Sequence, residues 1–158
     1  MTDIRAGHGY DAHRFARGRR LVLCGVAVPH ETGLDGHSDA DVATHAVMDA
    51  LLGAAGEGDI GKLFPDSDEK YAGANSIELL KRVSALIKES GFTVENTDAT
   101  VLCERPKLRA YIYGMRHNIA SALEIDPSRV SVKATTEEGL GFTGEGAGIA
   151  AHAVALLS

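Results

Sequence analysis

Two side chains near the start of the chain have the types and the spacing of a metal-binding pair. Asp11 and His13 are separated by one residue and follow a β-rich segment. In an extended chain, residues two apart point to the same side, so a carboxylate and an imidazole here can reach one ion. Chance alone gives about 0.5 such pairs in a chain with this many aspartates and histidines. The pair therefore needs a further ligand before it indicates a metal site.

His45 is the candidate for that ligand. It lies four residues from both Asp41 and Asp49, so the three would form one polar stripe on an otherwise apolar helix. A neighbouring carboxylate holds the ring orientation and tautomer of a metal-bound imidazole. Equally, the pattern fits a capped helix whose histidine hydrogen-bonds its own acids. Asp11, His13 and His45 would supply one oxygen and two nitrogens with a fourth position open, the ligand set of a catalytic zinc site.

Two further segments contain residues that suit phosphates. Residues 133–138 run from a strand into a glycine-rich loop, where backbone N–H groups can turn toward phosphate oxygens and Glu138 can hold a hard cation. The same glycines would also suit a simple hairpin, and no Walker pattern occurs. Residues 58–68 contain more acids than a simple turn needs, although a solvated loop is the alternative interpretation.

The order of the elements around these residues predicts one α/β domain. Strands are predicted at 4–10, 21–28, 92–103, 130–134 and 148–157, and helices at 38–55, 76–91 and 108–124. Ser38, with an acid three residues later, is expected to cap the first helix, and Gly91 to end the second. No repeat or linker interrupts this order. Residues 1–158 are therefore expected to form a single two-layer domain with three helices on one sheet.

The last predicted strand indicates an oligomer. Residues 149–157 are largely apolar on both faces, and a strand of this kind is covered on both sides. Three helices in one layer can cover only one face of the sheet, so a second copy of the chain is the simplest cover for the other. The alternative is that small alanines on this face are exposed to solvent.

Composition limits the partners and the compartment. The 158 residues have a formal net charge of −6 and a pI near 5.6, which argues against nucleic acid as a partner. No apolar run approaches the roughly 18 residues that a membrane-spanning helix needs, and residues 1–5 lack the pattern of a signal or transit peptide. Cys24 and Cys103 lie in apolar runs and are expected to be buried thiols. We therefore expect a cytoplasmic protein without a membrane partner.

Several ordered motifs resemble the 2-C-methyl-D-erythritol 2,4-cyclodiphosphate synthase family of the non-mevalonate isoprenoid pathway. They read GHGYDAH, HSDADV, GDIGKLFPD, PK, KATT and GF, and they begin at Gly7, His37, Gly58, Pro106, Lys133 and Gly141. The resemblance runs from Gly7 to Leu157. It implies a mixed β-sheet and a homotrimer whose sheets face the three-fold axis, with active sites shared between neighbouring subunits.

The resemblance also implies a reaction and its metals. The substrate would be 4-diphosphocytidyl-2-C-methyl-D-erythritol 2-phosphate, and the products would be the cyclic diphosphate and CMP. Zinc would be bound by Asp11, His13 and His45, while Glu138 would share a magnesium or manganese ion with the diphosphate. The nucleophile would be the 2-phosphate of the substrate, which is largely ionised near pH 7 and needs no general base.

The expected substrate-binding residues follow from the same motifs. His37 and Thr136 would be the catalytic residues at the transferring phosphoryl group. The erythritol and phosphates would be contacted by Asp11, His13, His37, Ser38, Asp59, Ile60, Gly61, Phe64, Pro65, Asp66, Ser67 and Asp68. The cytidine pocket would comprise Cys103, Glu104, Arg105, Pro106, Lys107, Leu108, Arg109, Thr135, Thr136, Glu137 and Glu138. These residues would recognise the base largely through main-chain groups. Phe142 and Glu145 complete the expected set.

Four positions depart from the family pattern. Glu145 stands where many members have a base, and His152 where they have an acid, both at the cavity along the trimer axis. Binding of an isoprenoid diphosphate in that cavity is therefore not expected to carry over. Glu104 and Arg105 replace the commoner Gln and Ala, but cytidine selectivity is expected to survive because the base is read through backbone.

Two other functions use the same residues differently. A zinc-dependent phosphohydrolase would use Asp11, His13 and His45 to activate water instead of promoting internal ring closure. A non-catalytic trimeric module would bind the cytidine diphosphate without turnover. The fate of oxygen from water and the release of CMP distinguish the three possibilities.

Overall fold

A five-stranded mixed sheet forms one layer of the protein. The computed structural model describes residues 3–158, so the predicted lack of a leader at residues 1–5 falls partly outside the described residues. The strands are β1 (Arg5–Ala16), β2 (Leu21–Leu23), β3 (Val26–Val28), β4 (Gly33–Leu34), β5 (Val94–Leu102), β6 (Val130–Thr135) and β7 (Gly148–Leu157). The sheet order is β4-β1-β7-β5-β6, with β5 and β6 parallel and its other neighbouring pairs antiparallel.

Three long helices form the second layer on one face of this sheet. The helices are α1 (Val42–Ala55), α2 (Ile60–Leu63), α3 (Ser76–Glu89), α4 (Ile112–Leu123) and α5 (Gly141–Gly144), with 3₁₀ turns at Glu69–Tyr71, Arg109–Tyr111 and Pro127–Arg129. α1 packs on β1 and β7, α4 packs on β6, and α3 contacts both α1 and α4. The predicted α/β class and helix layer are confirmed. Across residues 3–158, each helix is too short or too polar to cross a membrane.

The structure corrects two strand predictions. β1 continues to Ala16, so Asp11 and His13 lie within the strand and not after it. The predicted strand at 21–28 is instead the hairpin β2–β3. Its turn residues, Cys24 and Gly25, have φ values of 46° and 71°, the left-handed pair that a type I′ hairpin turn requires.

The first helix begins later than predicted. Ser38 was expected to be its cap, but Ala40 has a φ of 57°, which interrupts helical geometry before the helix starts. Asp41 is the N-cap, and its carboxylate accepts from the backbone N–H of Thr44. The other boundaries are closer to prediction, since Gly91 follows the C-cap of α3 with a φ of 84°. The predicted helix at 108–124 begins as a 3₁₀ turn, and its α-helical part starts at Ile112.

Two glycines in β1 allow α1 to lie directly on the strand backbone. A Cβ atom added to Gly9 would lie 1.9 Å from the carbonyl oxygen of Ala46, and one added to Gly7 would lie 2.0 Å from that of Ala50. Side chains of any size at these positions would push the helix away from the sheet. This close approach determines how near α1 residues come to β1 side chains.

The opposite face of the sheet is uncovered at the centre of β7 within one chain, although Ala150 on that face is buried. In β7, Ala151, Ala153 and Ala155 are buried under the helices, whereas His152 and Val154 are exposed. The prediction that both faces of this strand are covered is therefore not met by residues 3–158 alone. A second copy of the chain as the cover stays a prediction.

The packing of α1 on β1 gives a direct test by substitution. Gly9→Ala is expected to destabilise the protein by about 3 kcal/mol or more, because the new methyl group overlaps the backbone of α1. Gly53→Ala is the matched control, since a Cβ there has only the carbonyl oxygen of His8 nearby, at 3.9 Å. It is expected to be neutral or to stabilise α1 by up to about 1 kcal/mol. Equal urea midpoints for the two variants would contradict this account of the packing.

Candidate metal centre and active site

Asp11, His13 and His45 converge on one point between β1 and α1. One carboxylate oxygen of Asp11 lies 2.9 Å from His13 Nε2 and 2.9 Å from His45 Nδ1. The two ring nitrogens are 3.4 Å apart. One donor atom from each residue lies within 4.8 Å of the others. The three are positioned to hold a metal ion, so the predicted convergence is confirmed.

Burial and charge make this centre suitable for a cation. Burial raises the pKa of Asp11, but hydrogen bonds and charge from His13 and His45 outweigh burial and hold the pKa of that carboxyl far below its usual range. Burial lowers the pKa of His13, but the hydrogen bond and charge of Asp11 raise it above its ordinary value overall. The metal-free centre thus combines an ionised carboxylate with an imidazole whose pKa is raised. A divalent cation would take the place of the imidazole proton.

The ring of His45 is not hydrogen-bonded by the acids four residues away, so the prediction that these carboxylates hold the ring is wrong. Asp41 accepts from the backbone of Cys24 and Gly25 as well as from Thr44. Asp49 accepts from the backbone N–H of Ile60 at 2.8 Å. The alternative in which His45 hydrogen-bonds these two acids is equally wrong.

His45 instead contacts two hydroxyl groups from other segments. Its Nε2 atom is 3.1 Å from Ser38 Oγ and 3.0 Å from Ser76 Oγ. Nδ1 therefore faces Asp11, and Nε2 faces the hydroxyls. Ser76, the first residue of α3, was missed by the sequence reasoning because it lies 31 positions from His45.

The metal centre opens into a cavity of about 210 Å³. Many of the predicted erythritol and phosphate residues line it: Asp11, His13, His37, Ser38, Ile60, Gly61, Phe64 and Asp66. Gly36, Met48, Tyr71 and Leu79 also line it and were not predicted. Met48 lies one helical turn after His45 and could have been found from that spacing, whereas the sequence gives no signal for Tyr71 or Leu79.

Four predicted residues of the 58–68 segment do not line the cavity. Asp59, Pro65, Ser67 and Asp68 are absent from its lining. Asp59 caps α2 by accepting from Lys62 N–H, and Asp68 pairs with Lys70. The interpretation of this segment as a simple solvated loop is also incomplete, because it contains α2.

A second cavity of about 420 Å³ lies beside the end of β6. Predicted cytidine residues line it: Cys103, Pro106, Lys107, Leu108, Arg109, Thr135 and Thr136. Ile112, Lys133 and Ala134 complete the lining, while Glu104, Arg105, Glu137 and Glu138 are not part of it. Ile112 was missed, and its position in the first turn of α4 gives no chemical signal.

The Cys103 thiol supports the backbone of this second cavity. Burial raises the pKa of Cys103 to about 11, so the thiol stays protonated at neutral pH. Its Sγ donates to the carbonyl oxygens of Arg105 and Pro106 at 3.2 and 3.5 Å. Cys103 is therefore a structural donor in the loop and not a nucleophile.

The glycine-rich loop after β6 is more ordered than predicted. The Thr136 hydroxyl donates to Glu138 at 3.0 Å, and the Thr143 hydroxyl donates to Glu137. Residues Gly141–Gly144 form the short helix α5, so neither a flexible loop nor a simple hairpin describes this segment. Phe142 and Glu145 are exposed here and line neither of the two cavities.

The two cavities lie far apart on the sheet of one chain. Thr135 pairs with Leu102, Leu102 with Ala150, and Ala150 with Ala12, so Thr135 and Ala12 share one row across four strands. Three strand spacings separate them, or about 14 Å. Within residues 3–158, no residue lines both cavities. The predicted site residues are therefore divided between two places in this chain.

The chain also matches known proteins along nearly its whole length. A model of the YgbB family matches residues 4–158. The 2-C-methyl-D-erythritol 2,4-cyclodiphosphate synthase of Geotalea daltonii is 59% identical over 154 residues, which cover 98% of this chain and 90% of that protein.

Solved structures agree with the sequence match. The bifunctional IspDF of Campylobacter jejuni aligns with a TM-score of 0.94 at 46% identity, over 98% of this chain and 42% of that one. The IspF of Plasmodium falciparum, solved as a CDP complex, aligns with a TM-score of 0.85 at 36% identity, over 98% and 95% of the two chains. The resemblance inferred from the motifs is confirmed, and the chain belongs to the YgbB family.

Proposed function

We propose that this chain is a cyclising phosphorus–oxygen lyase of isoprenoid precursor biosynthesis. It converts 4-diphosphocytidyl-2-C-methyl-D-erythritol 2-phosphate to 2-C-methyl-D-erythritol 2,4-cyclodiphosphate and CMP. The observation that carries this proposal is the convergence of Asp11, His13 and His45 in the lining of a cavity. Relatives that bear the synthase name also support the proposal, because their high identity to this chain extends over most of both chains.

The three converging side chains fit zinc. Two imidazole nitrogens and one carboxylate oxygen are ligands that zinc accepts, and three protein ligands leave one position for substrate. When bound, zinc would act as a Lewis acid and template for phosphate oxygens. In the metal-free protein, Asp11 already supplies the fixed negative charge that favours a cation at this point.

Ring closure joins two phosphates of one substrate molecule. An oxygen of the 2-phosphate forms a bond to the β-phosphorus, and the bond from that phosphorus to the bridging oxygen breaks, releasing CMP. No side chain has to remove a proton, because the nucleophile is already anionic. The protein must instead hold two anions in line, and orientation of this kind is worth about 7–11 kcal/mol in favourable cases.

His37 and Thr136 are proposed to act at the transferring phosphoryl group. His37 lines the metal cavity, and its Nε2 lies 3.4 Å from the carbonyl oxygen of Asp68. Thr136 lines the second cavity, and its hydroxyl donates to Glu138. In this scheme Glu138 is the carboxylate that would hold magnesium or manganese against the diphosphate, since hard cations prefer oxygen ligands.

The second cavity is proposed to bind cytidine. Family structures solved with CDP support a cytidine diphosphate as the ligand class. Cys103, residues 106–109 and residues 135–136 line this cavity, and we propose that they recognise the base through their main-chain atoms. The side chains of Glu104 and Arg105, which do not line this cavity, would then matter little for selectivity.

A homotrimer with shared active sites is proposed because one chain does not place both cavities together. About 14 Å of sheet separates Thr135 and Ala12 along the row that they share, and His152 and Val154 are exposed on the sheet face opposite the helices. If neighbouring copies cover that face, the metal centre of one chain can meet the cytidine pocket of the next. The sheets would then face the three-fold axis.

Product analysis with labelled water tests the reaction. Pure protein incubated with zinc, magnesium and the substrate is expected to release CMP and a cyclic product without oxygen from water. Labelled oxygen in a phosphate product would favour the zinc phosphohydrolase, and full occupancy without turnover would favour the binding module.

His45→Ala is expected to lower CMP release by about 100-fold or more. Exposed His117, replaced by Ala, is the matched control and should retain activity.

Zinc affinity should depend on pH through His13. Ligation needs the neutral imidazole, and Asp11 raises the pKa of His13 in the metal-free protein. Affinity is therefore expected to fall about tenfold per pH unit as pH drops through that raised pKa. In Asp11→Asn the affinity is weaker, but the fall begins at a lower pH because the charge that raised the pKa is gone. Identical pH profiles for the two proteins, measured by chelator competition, would contradict this.

A further inference from the structure

Two histidines meet on the face of the sheet opposite the helices. His8 in β1 and His152 in β7 are exposed, and the strand register makes them diagonal neighbours. Diagonal positions on adjacent strands lie within reach of aromatic side chains. His8 Nε2 lies 3.0 Å from His152 Nδ1, and the two nitrogens share a hydrogen bond. Asp11 and His13 lie at odd spacings from His8 along β1, so they point to the other face of the sheet.

The distance between the two nitrogens matches neighbouring ligands of one metal ion. Metal–nitrogen bonds are about 2.0–2.1 Å long, so two nitrogens about 90° apart around one ion are about 3.0 Å from each other. Tetrahedral ligands would be about 3.4 Å apart, and the nitrogens of His13 and His45 have that separation, 3.4 Å. The closer pair, His8 and His152, therefore suits an ion with square-planar or tetragonal geometry, such as Ni²⁺ or Cu²⁺.

Packing and hydrogen bonding hold the two rings in place. The ring centroid of His152 is 4.8 Å from that of Tyr10 and 5.3 Å from that of His8. The backbone under both histidines is fixed as well, because β1 and β7 are paired without a break from Arg5 to Arg14. An ion bound here would therefore require little further ordering of side chains.

The charges in the same rows of the sheet do not oppose a cation. The row that contains His152 continues through Thr100 to Lys133, and the row that contains His8 reaches Asp98. Lys133 and Asp98 form an ion pair with each other. The positive charge of the lysine is therefore offset beside the two histidines.

From this geometry we propose that His8 and His152 form a second metal site, for a divalent transition metal that accepts imidazole in square-planar or tetragonal geometry. His8 Nε2 and His152 Nδ1 would take two neighbouring positions on the ion, and water would take the others. The hydrogen that the two nitrogens share would move to the other nitrogen of the donating ring, since a ligating nitrogen needs its lone pair. Both ligands belong to one chain, so the site depends neither on the reaction nor on the trimer of the proposed function.

Nickel uptake by the zinc-loaded protein tests this site. Untagged full-length protein is loaded with one zinc ion per chain and dialysed against Ni²⁺, and both metals are then counted by mass spectrometry. The wild type is expected to bind one nickel ion per chain beside its zinc. His8→Gln and His152→Gln are each expected to lose the nickel ion and to keep the zinc.

His117→Gln is the matched control for these variants. His117 is also exposed and also packs against a tyrosine, with 4.2 Å between its ring centroid and that of Tyr113. This variant is expected to bind nickel and zinc as the wild type does. Nickel lost equally from all three variants would contradict a site specific to His8 and His152.

Diffraction at the nickel absorption edge locates the ion without any substitution, so the test stays decisive if a variant fails to fold. An anomalous peak is expected about 2 Å from both His8 Nε2 and His152 Nδ1. A wild type without the additional nickel, nickel retained in both glutamine variants, or a peak away from these nitrogens would overturn the site. Failure of the protein to bind zinc would instead count against the metal assignment of the proposed function, and the nickel peak would still decide this one.

Discussion

The contact between the backbones of β1 and α1 is the constraint on which the metal centre depends. Gly7 and Gly9 leave no side chain between strand and helix, and Ala46 and Ala50 occupy the facing positions on α1. The helix therefore lies closer to the sheet than ordinary side chains would allow. His45, next to Ala46, reaches the Asp11 carboxylate at 2.9 Å only because of this approach.

The segment before α1 connects this packing to the orientation of the ligands. Asp41 caps α1 and holds the turn of the β2–β3 hairpin, while Asp39 accepts from the first residue of α3. Two acids two positions apart thus join two helix N-termini. Between them, Ala40 adopts a φ of 57°, which aims the two carboxylates at different helices. The loop that ties the helices together is also the loop that orients His45.

The predictions that the structure confirms rest on patterns between residues close together in the sequence. Asp11 and His13 follow from the period of an extended chain, and the helix layer follows from the spacing of apolar residues. The ring partners of His45 could not be predicted, because the Ser76 contact spans 31 residues and depends on how α3 packs. The start of α1 was misplaced because a capping pattern does not reveal the left-handed φ at Ala40. The 3₁₀ turn before Ile112 likewise depends on packing and not on apolar spacing.

The central claim is that one metal ion is bound through Asp11 Oδ2, His13 Nε2 and His45 Nδ1. Diffraction at the zinc absorption edge, from crystals grown with zinc, measures this directly. The account predicts one anomalous peak per chain among these three atoms, with ligand distances of about 2.0–2.2 Å. A peak elsewhere, no peak, or ligation through His45 Nε2 would contradict it.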